Sequence, residues 1–557
     1  MRWATIIALL AIGAILALTG HTAYHSTTIL VPDVGGTYIE ATAGSPRYVN
    51  PLLSTFNDVD RDLVALIFNG LTTANEHGEI LPDLAETWEI SPDGLSYTFE
   101  LRRDVQWHDG SVFDADDVIF TIDTLRSADF QGQPGVSELW RSVKLERIAA
   151  YTVRLTLPEP FAPFLSYTTV GLLPAHLLQN VPAGSLHSHA FNQHPVGTGP
   201  FLLKELTSRH ALLEANTSFY AGRPYLDKIE IFFYPDYASA LNAYHRGEVH
   251  GLSQVPAELQ SAALSQDDLR LYNAPLSGLG LVFLNLDRPF FQEREVRQAL
   301  LWATDRQKLI DQIMNGHALL ANGSVLPWSW AYEPNAVRYG YDPSKAMELL
   351  DQAGWKDLDG DGVREKGDQI LQFALLTNAD ERRVSIINEL TRQWALVGIR
   401  AVPQTAGVAG LVHDFLVPRN YDAILYEWQR LPFDPDPYPQ WHSTQTSGSG
   451  QNYSGFISEK ADLIMEEARR TADPQRRGVL YRELQSLLAE EVPILPLYHP
   501  VYTYAIDKRV NDVQVGPLQD YPDRFRTIGQ WYVSTRRMLV SEAPLWQPRP
   551  SSTPPLR

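Results

Sequence analysis

Val105-Gln106-Trp107-His108-Asp109-Gly110, followed by Phe113 and Ala115-Asp116-Asp117-Val118, reads as a strand that turns at Asp-Gly and then enters a helix. Asp-Gly is a favoured pair for tight turns, and Asp114 stands where it can cap the helix, with Asp117 at the reciprocal position of a capping box. These residues build scaffold and carry no chemistry of their own. Pro195-Val196-Gly197-Thr198-Gly199-Pro200-Phe201 reads as a tight backbone turn between lobes, its glycines supplying positive φ. No Lys-Ser or Lys-Thr follows, so a phosphate cradle is not expected there.

Outward from these segments, alternation at Tyr97, Phe99 and Leu101, at Val153, Leu155 and Leu157, and at Ile229, Ile231 and Phe233 predicts strands with one buried face. Asp342-Pro343 opens a helix with Ala346, Leu349, Leu350 and Ala353 on one face and Gly354 past its end; Asp305 and Asp473-Pro474 open two more. The elements follow no strict rhythm and no fixed repeat, which predicts a mixed α/β body. Two apolar, turn-rich stretches, 274–284 and 491–498, read as crossings between lobes, or as a strand approach and an ordinary loop.

At 557 residues the chain is too long for one ordinary core, so two or more lobes are expected. A net charge of −20 without a basic stripe excludes nucleic acid as a partner class and argues against anionic lipid. The chain has no cysteine, which removes disulfides, thiolate metal sites and thiol nucleophiles. Arg2 precedes a small and aliphatic run over 4–18 with no acid before Asp33, the outline of an export signal or of a retained membrane anchor. His21 follows Leu18-Thr19-Gly20 where a lipoprotein signal needs its cysteine, so no lipid anchor of that kind can form. The proline-rich stretch 541–557 is expected to be a disordered tail.

In order along the chain, Asn50-Pro51, Asn69-Gly70-Leu71, residues 82–88, Ser91-Pro92-Asp93-Gly94, Val105 through Gly110, residues 195–201, Gly222-Arg223-Pro224-Tyr225-Leu226-Asp227, residues 296–300, Tyr341-Asp342-Pro343 and Ala353-Gly354-Trp355 resemble one family: the extracellular solute-binding proteins of the oligopeptide, dipeptide and nickel ABC importers (family 5). The resemblance implies a two-lobed periplasmic-binding-protein-like fold of type II, with an extra subdomain in the first lobe. The expected division is 1–34 signal peptide or anchor and linker, 35–55, 195–275 and 491–540 first lobe, 56–194 extra subdomain, 276–490 second lobe, and 541–557 tail. It further implies a monomeric protein without cofactor that captures a peptide-like solute outside the membrane and delivers it to permease subunits. In peptide-binding members the ligand lies extended and pairs with protein main chain.

The resemblance places Trp428 beside the ligand, with main-chain groups of Glu427 to Gln429 as hydrogen-bonding partners; the alternative is a core tryptophan. The family's amine-binding aspartate, three residues after this tryptophan, is replaced by Leu431. Asp434 and Asp436 are candidates to supply that charge, or are turn formers before proline. Ser45, Arg47 and Tyr48 occupy the first ligand-facing loop of the other lobe, Arg47 facing either a ligand carboxylate or solvent. Asp357, Asp359, Asp361 and Asp368 have calcium-loop spacing, read beside the plainer alternative of an acidic hairpin turn. His187, His189 and His194 sit in a polar connector, a surface linker before a metal site. Neither a Gly-x-Ser-x-Gly elbow nor a His-Glu-x-x-His motif supports the rival reading as a secreted hydrolase. A receptor feeding a membrane sensor is the third alternative.

Overall fold

The computed structural model describes residues 2–132, 134–448 and 450–542, and in it a single 12-stranded sheet runs through two lobes. One strand, Ile494–Asp507, belongs to both. Its first part pairs with Gly278–Leu284 in the second lobe, and its residues 501–507 pair with Leu269–Pro275 in the first. The chain passes from Leu269–Pro275 to Gly278–Leu284 through Leu276 and Ser277 alone. The two crossings therefore lie side by side at 275–278 and 498–501. The second falls later than the expected 491–498, because the strand starting at Ile494 first completes the second-lobe sheet.

All but two residues of Ile494–Asp507 are buried, the pattern of a strand covered on both faces. In the second lobe, Gln372–Asn378 and Arg400–Ala406 pair in parallel and are joined by the helix Glu381–Ala395. That helix buries Ile386, Ile387, Leu390 and Trp394 because they recur on one face at helical spacing. In the first lobe, Thr37–Ala43 pairs in parallel with Lys228–Tyr234. The extra subdomain is a four-stranded antiparallel sheet, with Ser96–Leu101 and Thr152–Thr156 at its centre. Tyr97, Phe99, Val153 and Leu155 share one apolar core with Phe201, Ile229 and Ile231 of the first-lobe sheet and with Trp531, so subdomain and lobe form one packed body.

Local signals hold where they depend on neighbours in sequence. Asp342, Asp305 and Asp473 each accept a backbone N–H at the start of their helices, and Asp114 and Asp117 form the expected capping box on Ala115–Arg126. Two readings need correction. Residues 105–110 form no regular strand but a turn beside a single bridge, Gln106 to Val112. The glycines of 197–200 do not adopt positive φ, and the segment joins the subdomain to the first-lobe strand Phe201–Leu206, not one lobe to the other. Their role is close approach: a Cβ on Gly197 would lie 1.9 Å from the Ile67 carbonyl oxygen, and one on Gly199 2.6 Å from its carbonyl carbon.

At the termini a helix, Arg2–Thr27, runs directly into the strand Thr28–Asp33, which pairs with Ser534–Leu539. Among the described residues no helix is long and apolar enough to cross a membrane. Of the expected tail, 543–557 lies outside the described residues.

Candidate functional site

The second-lobe wall of the cleft is built on Ala423–Gln429. This strand pairs along its whole length with Gly278–Leu284 on one side. On the other it pairs with Gln372–Asn378 only at Ala423 and Ile424, leaving Leu425 to Gln429 without a strand partner on that edge among the described residues. Successive side chains alternate across the sheet. Trp428 turns inward, 8% exposed, with its ring edge-on to Phe283 at 5.2 Å and to Trp441 at 5.9 Å. It is a core tryptophan that also lines a cavity of about 40 Å³. Glu427 turns the other way, half-buried, and accepts hydrogen bonds from the Tyr498 hydroxyl at 3.1 Å and Gln429 Nε2 at 3.3 Å. No cation lies within ion-pair reach of its carboxylate among the described residues.

Asp434 and Asp436 are both neutralised from within their own lobe. Arg477 donates to Asp434 at 2.8 Å, and Arg469 grips Asp436 through two bonds of 2.8 and 2.5 Å. Burial pushes the Asp434 carboxyl up to about 6 in spite of its arginine. Neither aspartate is a free anion, which corrects their expected role as substitutes for the missing charge at Leu431. Glu427 is the uncompensated carboxylate on this wall.

On the first-lobe side, Asp60 holds the loop 45–48. Its two carboxylate oxygens accept the backbone N–H groups of Arg47 at 2.7 Å and Tyr48 at 3.0 Å. Ser45 and the Arg47 side chain are exposed, and Tyr48 is half-buried. Asp60 lies on the helix Asp58–Ile67, which a buried ionic cluster locks to the sheet. Arg524 donates to Asp62 and to Glu40 at 2.6 Å each, and Tyr38 and Tyr504 both donate to Glu40 at 2.8 Å. Each lone pair and proton of this buried cluster that finds a partner offsets part of its desolvation cost.

Sequence reasoning missed Tyr521 and Arg430. Tyr521 stacks on Tyr502 at 5.2 Å; burial first, then the charges of Asp58 and, further down, Glu427, hold its phenol well above the ordinary value. A second-lobe carboxylate is therefore within electrostatic reach of a first-lobe phenol. Arg430 donates to the Thr55 carbonyl at 3.0 Å and stands 3.8 Å from Asp520, and the Arg469 guanidinium lies 5.3 Å over the Phe161 ring of the subdomain. No motif announces these residues, since each acts only once the lobes meet.

The acidic loop is also rearranged. Asp357, Asp359, Asp361 and Glu365 bring carboxylate oxygens within 4.8 Å of one another, whereas Asp368 stands apart. The reason is the short hairpin pairing Lys366 with Gln369, which puts Asp368 in its turn. His187 and His194 are exposed and His189 accepts the Phe191 N–H, so the three histidines form no cluster of ligand spacing.

Two lobes of mixed α/β structure joined through one shared strand have the architecture of a type II solute-binding protein. The comparisons with known proteins agree. Residues 79–450 match the bacterial extracellular solute-binding proteins, family 5 Middle, and the chain belongs to this family. It is 30% identical to the oligopeptide-binding protein AppA of Bacillus subtilis, over 90% of this chain and 92% of that one. The structure of that AppA in complex with a nonapeptide superposes with a TM-score of 0.69 at 29% identity, covering 90% of this chain and 100% of that one. NikZ from Campylobacter jejuni, in complex with Ni(L-His), gives a TM-score of 0.70 at 27% identity over 89% of this chain and 99% of its own.

Proposed function

We propose that this chain captures a peptide-like solute between its lobes outside the cytoplasmic membrane and hands it intact, without turnover, to the permease of an ABC importer. The observation that carries the peptide class is the open edge of Leu425 to Gln429. Main-chain N–H and C=O groups on that edge can receive an extended ligand as an added strand, which gives affinity without dictating side chains. Glu427 stands beside that edge as partner for a ligand ammonium, and Tyr48 with the 45–48 loop contributes from the opposite wall. Trp428 supports the strand from behind and borders a side-chain pocket. The AppA relative, with its bound nonapeptide, supports the same reading.

In this reading the closing units meet at 275–278 and 498–501, and the protein acts as a monomer. The helix Arg2–Thr27 is the export segment, cleaved or kept as an anchor. Mass spectrometry of the small molecules released on denaturing the purified protein tests the class: peptide masses are expected. A released sugar or metal chelate, or fragments produced from an added peptide during incubation, would refute it.

A further inference from the structure

Two cavities in the second lobe meet at one tryptophan. The first, about 40 Å³, starts at Trp428 and is walled by Leu326, Leu431, Pro432, Pro435 and Pro437. The second, about 50 Å³, lies deeper and is walled by Leu301, Tyr339, Leu488, Val492, Ile494 and Pro496. They share two lining residues, Ser324 and Trp441. The Trp441 ring is met edge-on by Trp428 at 5.9 Å and by Phe456 at 6.5 Å, and the residue borders both cavities. A side chain bordering a void has fewer packed neighbours on that side than one enclosed in a filled core.

Several polar groups of these walls are held by the protein itself. Ser329 Oγ donates to the Phe433 carbonyl at 3.2 Å, and Asp436 is held by Arg469. Deeper in, Tyr339 donates to the Ala489 carbonyl at 2.9 Å, and the Gln485 amide donates to Ala331 and Tyr481 while accepting from Glu333. The lining of both cavities is mostly apolar, so an apolar guest group gains here by leaving water. The 22 residues from Ala321 to Asp342 cross this region without helix or strand, a length of irregular chain that in compact domains usually serves a site.

We propose that the two cavities act as one expandable side-chain pocket of the solute site, with Trp441 as its movable inner wall, and that the solute carries at least one large apolar side chain. The inference rests on the peptide reading above and names which peptides are preferred. Small side chains fill the outer cavity; larger ones push Trp441 into the space behind it.

The test uses tri-alanine, tri-leucine and tri-phenylalanine as probes in titration calorimetry. The wild-type protein should bind tri-leucine and tri-phenylalanine at least tenfold more tightly than tri-alanine. Ala489→Phe, which fills the deeper cavity alone, should collapse the tri-phenylalanine to tri-alanine preference by tenfold or more. Trp441→Phe, which thins the wall, should raise the tri-phenylalanine to tri-leucine ratio, and it serves if the first variant fails to fold. Equal binding of the three peptides by the wild type, or ratios unmoved by the variants, would overturn the pocket while leaving peptide capture standing. Binding of none of them would overturn both.

Discussion

Replacing Gly78 with alanine puts a methyl group where the first lobe touches backbone of the second. Gly78 sits at the tip of the hairpin joining Thr72–Ala74 to Ile80–Pro82, at φ +82°, and a Cβ there would lie 2.2 Å from Phe433 Cβ and 3.0 Å from its carbonyl carbon. Ordinary carbon contacts stand at roughly 3.5–4 Å, so closure requires the hairpin or the 433 segment to give way. Overpacking of this kind costs about 1–3 kcal/mol, equivalent to about 5- to 150-fold in affinity. The hairpin tip is partly exposed and can move, which favours the lower half of that range. Alanine at a left-handed φ also carries strain, but that strain is present in open and closed forms alike and cancels in the binding constant. Gly94→Ala is the matched control: φ is +71° and the nearest atom to its added Cβ is Pro160 Cβ at 3.4 Å, within the same subdomain. Calorimetric Kd values for a tripeptide, with X-ray scattering of the loaded proteins, should show Gly78→Ala binding at least fivefold more weakly and closing less completely. A Kd within twofold of the Gly94→Ala value would refute the claim that the lobes meet here when ligand is held.

Arg430→Ala removes a charged hydrogen bond to the Thr55 carbonyl; with the side chain 39% exposed the loss is discounted to about 1 kcal/mol, seen as roughly fivefold faster ligand release in stopped-flow, and an unchanged rate would count against the clasp. Glu427→Gln should weaken a free tripeptide by about tenfold while barely affecting its N-acetylated form, since a charge-assisted bond is worth about 1.5–3 kcal/mol; equal losses for both would remove Glu427 as the ammonium partner. Burial pushes the His499 imidazole at the hinge down to about 4, its Nδ1 donating to the Gly278 carbonyl, while the unfolded chain titrates near 6.5. Its stabilisation is therefore present above pH 6.5 and lost as pH falls toward 4, by about 2 kcal/mol between pH 7 and 5. Asp62 and Asp434, pushed up to about 6 by burial, act in the opposite sense, so the measure is the difference between wild type and His499→Asn in denaturant titrations. Parallel stability profiles for the two proteins would show that His499 is not the group responsible.

Helix starts and strand faces were legible because their causes are local: a cap needs only its next three residues, and a half-buried strand needs only alternation. What the sequence left open depends on partners distant along the chain. Asp434 and Asp436 read as ligand anions or turn formers because Arg477 and Arg469, 43 and 33 residues away, give no sign of turning toward them. The glycines at 197 and 199 read as positive-φ residues because their real constraint, the Ile67 carbonyl, is invisible until the chain returns to it. Trp428 had two readings, and the structure gives it a share of each: packed in the core, yet bordering a pocket. The hinge was legible as two apolar crossings, and only the register of Ile494–Asp507 showed where the second lies.

The closure contacts are few and individually weak, and this follows from how the cores are divided. The first lobe and its subdomain share one apolar cluster, and the large clusters of the second lobe contain none of those residues. Opening therefore breaks no core packing. It bends the backbone at two adjacent crossings and parts contacts such as Gly78 against Phe433, Arg430 against Thr55 and Arg469 over Phe161. Each is worth on the order of 1 kcal/mol. A ligand shifts such an equilibrium only by binding the closed form better than the open one. In the proposed reading, an extended main chain on the edge of Leu425 to Gln429 meets that condition if the first-lobe loop held by Asp60 reaches it only on closure.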